Sequence, residues 1–176
     1  MSKPKIILIT GKARHGKDSL ADFLEIVSPS TTARMAFADG VKKVAKEKHD
    51  WDGEKNEVGR SLLQLVGTGY KILYGKDYWI KDLESKIEDD VDYIIVSDTR
   101  FINESTYFKE NGYKQVVIRV IRLDEDENIF DNGLTEKQKN HPSEAEMSRI
   151  KSDIVISAKN LNELCQGAIL HLTKIF

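Results

Sequence analysis

The sequence predicts an α/β fold in three layers, with helices on both sides of a parallel sheet of about five strands. Five apolar runs support this prediction, at 6–9, 33–37, 93–96, 116–121 and 154–156. Most of them are β-branched and continuous, as expected of strands that are covered on both faces. Helical stretches are predicted between them, at 17–27, 39–49, 57–74, 77–88, 101–111, 143–149 and 160–175. Strands that alternate with helices favour parallel pairing through right-handed crossovers.

Length and composition exclude several classes of protein. The 176 residues suit one compact domain, so we expect a single domain over 1–176. A net charge of −2 gives no general attraction to a nucleic-acid polymer or an anionic membrane, and we expect neither as a partner. The single cysteine excludes an internal disulfide framework, and no apolar stretch is long enough to span a bilayer. The N-terminus leads directly into the first strand without a signal-peptide core, which predicts a cytoplasmic location.

The most informative segment follows the first apolar run and opens the first helix. It consists of Gly11, Lys12, Ala13, Arg14, His15, Gly16, Lys17, Asp18 and Ser19. Glycines at its ends let successive backbone N–H groups and the helix N-terminus face one anion, while Lys17 reaches the outer phosphates. The strand before it and the amphipathic helix after it are the required context, so we predict that this loop binds a nucleoside triphosphate. The alternative is a glycine-containing turn with an exposed lysine.

Candidate ligands of Mg²⁺ lie in and beyond this loop. Ser or Thr usually follows the lysine and holds the metal, but here Asp18 intervenes and Ser19 comes one place late. Asp98 lies at the carboxyl end of a predicted strand, where ligands of open parallel sheets bind. We therefore predict Asp18, Ser19 and Asp98 as metal candidates. Arg100 can clamp a phosphate with its planar fork. The alternative for Asp98 and Arg100 is a strand-end turn with a surface salt bridge.

Two regions depart from the simple alternation of strands and helices. Residues 39–88 are almost entirely helical, and residues 122–145 are polar and rich in charge. In an enzyme that transfers a phosphoryl group, these are the natural places for an acceptor-binding insertion and a lid. An ordinary helical excursion and a loop are the alternative.

Several elements together resemble bacteriophage-type deoxynucleoside monophosphate kinases. They are the loop ending Gly-Lys-Asp-Ser and the stretches Phe37–Lys42, Arg60–Thr68, Asp77–Ile80, Ser97–Glu104 and His141–Glu144. They occur in the family's order over almost the whole chain. The resemblance implies a P-loop kinase fold, and transfer of the terminal phosphoryl group of ATP to a small-molecule deoxynucleoside 5′-monophosphate with Mg²⁺.

The resemblance also implies roles for individual residues. Lys17, Asp98, Arg100 and Glu104 would be catalytic, with the arginine as a phosphate clamp and the acids orienting the metal or the acceptor. Residues 11–19 would wrap the phosphates of ATP, Arg122 is our choice for a further ATP contact, and Ala158 and Lys159 would lie against the adenine. The acceptor-side candidates are Phe37, Lys42, Arg60, Gln64, Thr68, Trp79, Arg100 and His141.

Some of these residues have structural explanations as well. Trp79 suits a core position, and Phe37 suits a buried strand end. Glu104 suits the first turn of a helix, where the macrodipole favours an acid. Ser143 as a helix start accounts for much of the element that contains His141. Arg119 and Arg122 are three apart, so they should not share a strand face unless the strand ends between them.

The sequence departs from the family at Gly69 and Ile72, where an acidic residue and an arginine are common. This departure leaves open which base the acceptor carries. The sequence also leaves open whether ribonucleotides are excluded and whether the chain forms a homodimer. Rival functions are a dephospho-coenzyme A or phosphomevalonate kinase, a GTP-dependent switch protein and a non-catalytic nucleotide-binding module. Against the GTP-dependent switch, the sequence has no Asn-Lys-x-Asp element, which would recognise guanine, ahead of Ser157–Lys159.

Overall fold

The structure is a computed structural model that describes residues 3–54, 56–88, 90–131, 133 and 142–176, with backbone alone at 142–143. The chain divides into two compact units. One, here called the sheet unit, comprises Met1–Arg34 and Glu88–Phe176, and the other, the helical unit, is Met35–Ile87. Each has a hydrophobic core of its own. Within the described residues, no helix is both long and apolar enough to cross a bilayer.

The sheet has five strands in the order β2-β3-β1-β4-β5. They are β1 (Lys5–Thr10), β2 (Thr32–Met35), β3 (Tyr93–Thr99), β4 (Gln115–Arg122) and β5 (Ile154–Ala158). The central strand β1 pairs in parallel with β3 and β4, and β4 pairs in parallel with β5. Residues Ile6–Ile9 of β1 are completely buried, which explains their continuous apolar run. The predicted α/β fold with a five-stranded parallel sheet is confirmed.

Eight helices accompany the strands in the described part of the chain. They are α1 (Lys17–Val27), α2 (Phe37–His49), α3 (Glu57–Tyr74), α4 (Tyr78–Glu84), α5 (Ile102–Glu110), α6 (Pro142–Arg149), α7 (Leu161–Ile169) and α8 (Leu172–Ile175). Helices α1 and α7 pack on the sheet face that carries Ile7, Ile9 and Ile118. Helix α5 contacts β4 and α6. Arg119 of β4 points to the α6 side, where its Nη2 donates to the carbonyl oxygens of Met147 and Ile150, at 3.1 and 2.6 Å.

The helical unit packs α2, α3 and α4 around two tryptophans. Trp51 and Trp79 share its core with Ala45 and Val66. Asn56 begins α3, because its side-chain oxygen accepts the N–H of Gly59 at 2.9 Å and so satisfies a donor of the first turn. The apolar side of each of these helices thus faces one common core.

Several predicted boundaries differ from the structure by a few residues. The strand predicted at 33–37 ends at Met35, because Ala36 is extended and Phe37 begins α2, with Asp39 favouring its first turn. Helix α4 ends at Glu84 rather than 88, and Ser85 hydrogen-bonds back to the Asp82 carbonyl. The helix predicted at 160–175 is broken at 170–171 into α7 and α8.

Candidate active site

Two glycines with positive φ shape the loop between β1 and α1. Gly11 has φ +150°, and a Cβ there would lie 2.5 Å from the Val120 carbonyl oxygen. Gly16 has φ +93° and immediately precedes α1. Because both positions exclude an ordinary side chain, the two glycines bring the loop against β4 and turn it into the helix. Gly16 also has no side chain that could cap the first turn of α1, whose N–H groups suit an anion.

Lys17 lies at the centre of a cluster of charged side chains. Its Nζ donates to the carbonyl oxygen of Lys12 at 2.9 Å. Burial, and then the nearby charge of Arg100, lowers the pKa of Lys17 to about 8, while Asp18, Glu144 and Asp98 act in the opposite direction. The ammonium group is therefore poorly solvated and short of negative charge, which a bound phosphate would supply.

Asp18 links α1 to two strands. Its Oδ1 accepts from Ser97 Oγ at 3.0 Å and from Arg34 Nη2 at 2.7 Å. Arg34 also pairs with Asp22 on the next turn of α1. The side chain of Asp18 is nevertheless 80% exposed, so its carboxylate is accessible to a metal ion. Arg34 was not identified from the sequence, since a lone arginine in a short strand carries no motif.

Arg100 and Glu104 form the second part of the cluster. Arg100 Nη1 lies 3.2 Å from Oε1 of Glu144. Glu104 is buried, and its Oε2 accepts the backbone N–H groups of Arg100 and Phe101 at 2.8 and 3.0 Å. These contacts place Glu104 at the start of α5, where it holds the backbone that carries Arg100. Glu144 was quoted in a sequence motif but not identified as a site residue.

The metal candidates fit an ion that arrives with a triphosphate. Asp98 is half-buried in β3, one residue before its end, and Ser19 is half-buried in α1. No group of three or more His, Cys, Asp or Glu side chains among the described residues could hold a metal by itself. Mg²⁺ commonly takes one or two carboxylates and completes its shell with phosphate oxygens and water. Asp18, Ser19 and Asp98 suit that partial role.

A cavity of about 370 Å³ adjoins the loop. The residues predicted to contact ATP outside the loop, Arg122, Ala158 and Lys159, all line it. The remaining lining residues are Arg14, His15, Gly16, Lys17, Asp18, Ser19, Asn160, Leu161 and Leu164. The sequence did not single out the two leucines, because apolar residues at helical spacing indicate core packing equally well.

His15 and a hairpin fix one wall of this cavity. Buried His15 accepts the backbone N–H of Arg122 at its Nδ1, at 3.1 Å, and the Arg122 guanidinium lies 4.1 Å from the ring centre of Phe130. Phe130 returns on a short hairpin after β4, closed by a bridge between Leu123 and Ile129. Burial, with the charges of Lys12 and Lys17 adding to it, lowers the pKa of His15.

Six of the predicted acceptor-side residues belong to the helical unit, and they fall into two groups. Arg60, Gln64 and Thr68 are exposed and follow one another at four-residue spacing along α3. Lys42 pairs with Asp39 at 2.7 Å.

The two aromatic candidates are buried instead. Phe37 is 5% exposed and Trp79 is 3% exposed. The Trp79 indole packs in the core and donates to the Gly67 carbonyl at 2.9 Å. His141 and residues 132 and 134–140 of the predicted lid lie outside the described residues.

No family model matches the sequence, and no curated protein matches it. Solved structures are similar to it along their whole length. TT1252 from Thermus thermophilus is 15% identical over 98% of each chain, with a TM-score of 0.55. Shikimate kinase from Acinetobacter baumannii, in complex with shikimate, is 14% identical over 97% of this chain and 93% of that chain, with a TM-score of 0.50. The chain therefore has the P-loop kinase fold.

Proposed function

We propose that this protein transfers the terminal phosphoryl group of ATP, with Mg²⁺, to a deoxynucleoside 5′-monophosphate. One observation carries the proposal. The phosphate-type loop, Lys17, Arg100 and the carboxylates of Asp18 and Asp98 gather at the carboxyl edge of the sheet, beside a cavity of about 370 Å³. Ligands of open parallel sheets bind at this edge.

The chemistry requires alignment and charge neutralisation rather than a covalent nucleophile. Backbone N–H groups of the loop and of the first turn of α1 hold the phosphates, and Lys17 neutralises charge on the transferred group. Arg100 offers a planar fork that suits a phosphate oxygen pair. Mg²⁺, held by Asp18, Ser19 or Asp98, would add further positive charge to the phosphates when bound. The cavity lined by Arg122, Ala158 and Lys159 accommodates the nucleoside.

The nature of the acceptor is supported by the exposed side of α3 and by the motifs around it. Arg60 suits the phosphate of the acceptor, and Gln64 and Thr68 offer hydrogen bonds to a base or a sugar. We do not assign Trp79 to the acceptor, because its ring and N–H already have partners in the core.

Single substitutions test the assignment. Lys17→Ala should abolish transfer, and Arg100→Ala should lower kcat/KM by about a hundredfold or more with the fold intact, since each removes charge stabilisation in the transition state. Lys109→Ala is the matched control, because it removes an exposed cation at the end of α5. Circular dichroism and thermal unfolding verify folding. An Arg100→Ala enzyme with the rate of the Lys109→Ala control would disprove the assignment.

A different small acceptor is the second candidate. Gly69 and Ile72 stand where the deoxynucleotide kinases commonly have an acid and an arginine, and both positions are open: Ile72 is 78% exposed and nothing lies within 4 Å of a Cβ on Gly69. The fold is also that of a kinase solved with shikimate, which carries no phosphate. Transfer to shikimate or dephospho-coenzyme A, without transfer to any nucleotide, would favour this candidate.

A further inference from the structure

Arg100 has one side of its guanidinium held within the protein. Nη1 lies 3.2 Å from Oε1 of Glu144, whose side chain is 11% exposed, against 40% for Arg100. A guanidinium carries five N–H donors in a rigid fork, so one ion pair leaves several donors accessible. A partly exposed ion pair contributes little to stability. The ion pair therefore matters more for the orientation of the guanidinium than for stability.

The backbones on both sides of this ion pair are fixed. Helix α6, which carries Glu144, is held at its end by Arg119, which donates to the carbonyls of Met147 and Ile150. The backbone of Arg100 is held by the carboxylate of Glu104. Because both main chains are anchored, the carboxylate of Glu144 can select one direction for the guanidinium instead of following it.

Lys17 lies near enough for the charges of Arg100 and Glu144 both to act on it. Two cations side by side repel each other, and the carboxylate of Glu144 offsets this repulsion. The ion pair with Glu144 thus keeps Arg100 beside the phosphate loop. Without that pair, the arginine side chain would turn outward to solvent.

We propose that Glu144 is a positioning residue that orients Arg100, so that the free donors of the guanidinium face a phosphate group bound at the loop. The inference rests on the proposed phosphoryl transfer. Glu144 touches no reacting atom. Its effect on the rate passes through Arg100 alone.

The kinetic test compares E144A and E144Q with E146A and with R100A. Glu146 is the matched control, since it is on the same helix and its carboxylate lies 3.4 Å from the Ile102 backbone N–H instead of beside Arg100. We expect E144A to lower kcat/KM for the acceptor by about tenfold, because one charge-assisted hydrogen bond is lost. E144Q should recover most of this loss, since its amide oxygen still accepts from Nη1. E144A should have no further effect in the R100A background.

Three kinetic results would overturn the inference while leaving the proposed function intact. In the first, E144A has the rate of E146A. In the second, E144A lowers the rate as much in R100A as in the wild type, which would mean that Glu144 acts independently of Arg100. In the third, E144A is faster than the wild type, which would mean that Glu144 competes with the phosphate.

A measurement without turnover separates the inference from the proposed function. The guanidinium ¹H–¹⁵N signals of Arg100, assigned by their loss in R100A, report rotation of the group in the ligand-free protein. We expect restricted rotation in the wild type, E144Q and E146A, and free rotation in E144A. Equal rotation in E144A and the wild type would overturn the inference even if the wild type transferred no phosphoryl group.

Discussion

Lys17 illustrates at the residue scale how a charge in the proposed site can lower stability. An unperturbed lysine has a pKa of 10.5, and burial lowers the pKa of Lys17 to about 8. Between these two pH values the unfolded chain binds a proton that the folded protein has released. The free energy of unfolding therefore rises with pH in this window, and below pH 8 the folded protein carries the full cost of the buried charge.

We accordingly expect Lys17→Met to be more stable than the wild type at pH 7, by about 1–2 kcal/mol after the lost hydrogen bond to Lys12 is allowed for. The difference should shrink as the pH rises from 8 to 10.5. Urea unfolding at pH 7, 8, 9 and 10 measures it, with Lys12→Met as the exposed control. A Lys17→Met protein that is less stable than the wild type at pH 7 would show that the buried ammonium group does not destabilise the folded protein.

His15 changes stability with pH in the same direction as Lys17, but in the acidic range. Burial lowers the pKa of His15 below its usual 6.5, so on acidification the unfolded chain takes up a proton before the folded protein does. Stability should fall as the pH decreases below 6.5, and the fall should be smaller in His15→Gln, which has no imidazole to charge. Unfolding at pH 7, 6 and 5 tests this expectation. The exposed His49→Gln is the control, and an equal fall in both variants would contradict it.

Glycines decide the packing of single elements in the helical unit. A Cβ on Gly40 of α2 would overlap Oδ2 of Asp82 and lie 2.9 Å from the Trp79 ring, both on α4. A Cβ on Gly69 of α3 would meet nothing within 4 Å. The same substitution to alanine can therefore be compared at a crowded position, Gly40, and at an open one, Gly69.

Gly40→Ala should destabilise the protein by about 1–3 kcal/mol, because α2 and α4 must separate to admit the methyl group. Gly69→Ala should stabilise it by up to about 1 kcal/mol, since alanine gains helix propensity without a clash. Urea unfolding followed by far-ultraviolet circular dichroism gives both values. A Gly40→Ala protein at least as stable as the wild type would mean that the α2–α4 contact is not as close as described.

Local signals explain which elements could be predicted from the sequence. The bounds of α1 and α3 match the prediction, because Gly16 precedes one helix and Asn56 and Gly75 bracket the other. The break at 170–171 could not be predicted, since no glycine or proline marks it and the apolar spacing continues.

At the scale of the whole molecule, the succession of apolar runs and motifs along the chain predicted the sheet. It did not predict the contacts between distant segments. The parallel strands followed from their apolar runs, and the loop residues followed from one contiguous motif. The pair of Arg100 and Glu144 joins residues 44 positions apart, and Arg34 reaches Asp18 across 16 positions. Such contacts depend on how elements pack, which neither spacing nor composition specifies. The division into two compact units has the same origin.

The central claim concerns the whole protein, and ADP production from ATP and Mg²⁺ tests it most directly. The acceptors are dAMP, dGMP, dCMP, dTMP and 5-hydroxymethyl-dCMP, with AMP, shikimate, dephospho-coenzyme A and no acceptor for comparison. We predict ADP only when a deoxynucleoside monophosphate is present, one diphosphate product per ADP, and none after chelation of Mg²⁺. Equal ADP production with and without an acceptor, or transfer confined to an acceptor that is not a nucleotide, would contradict the account.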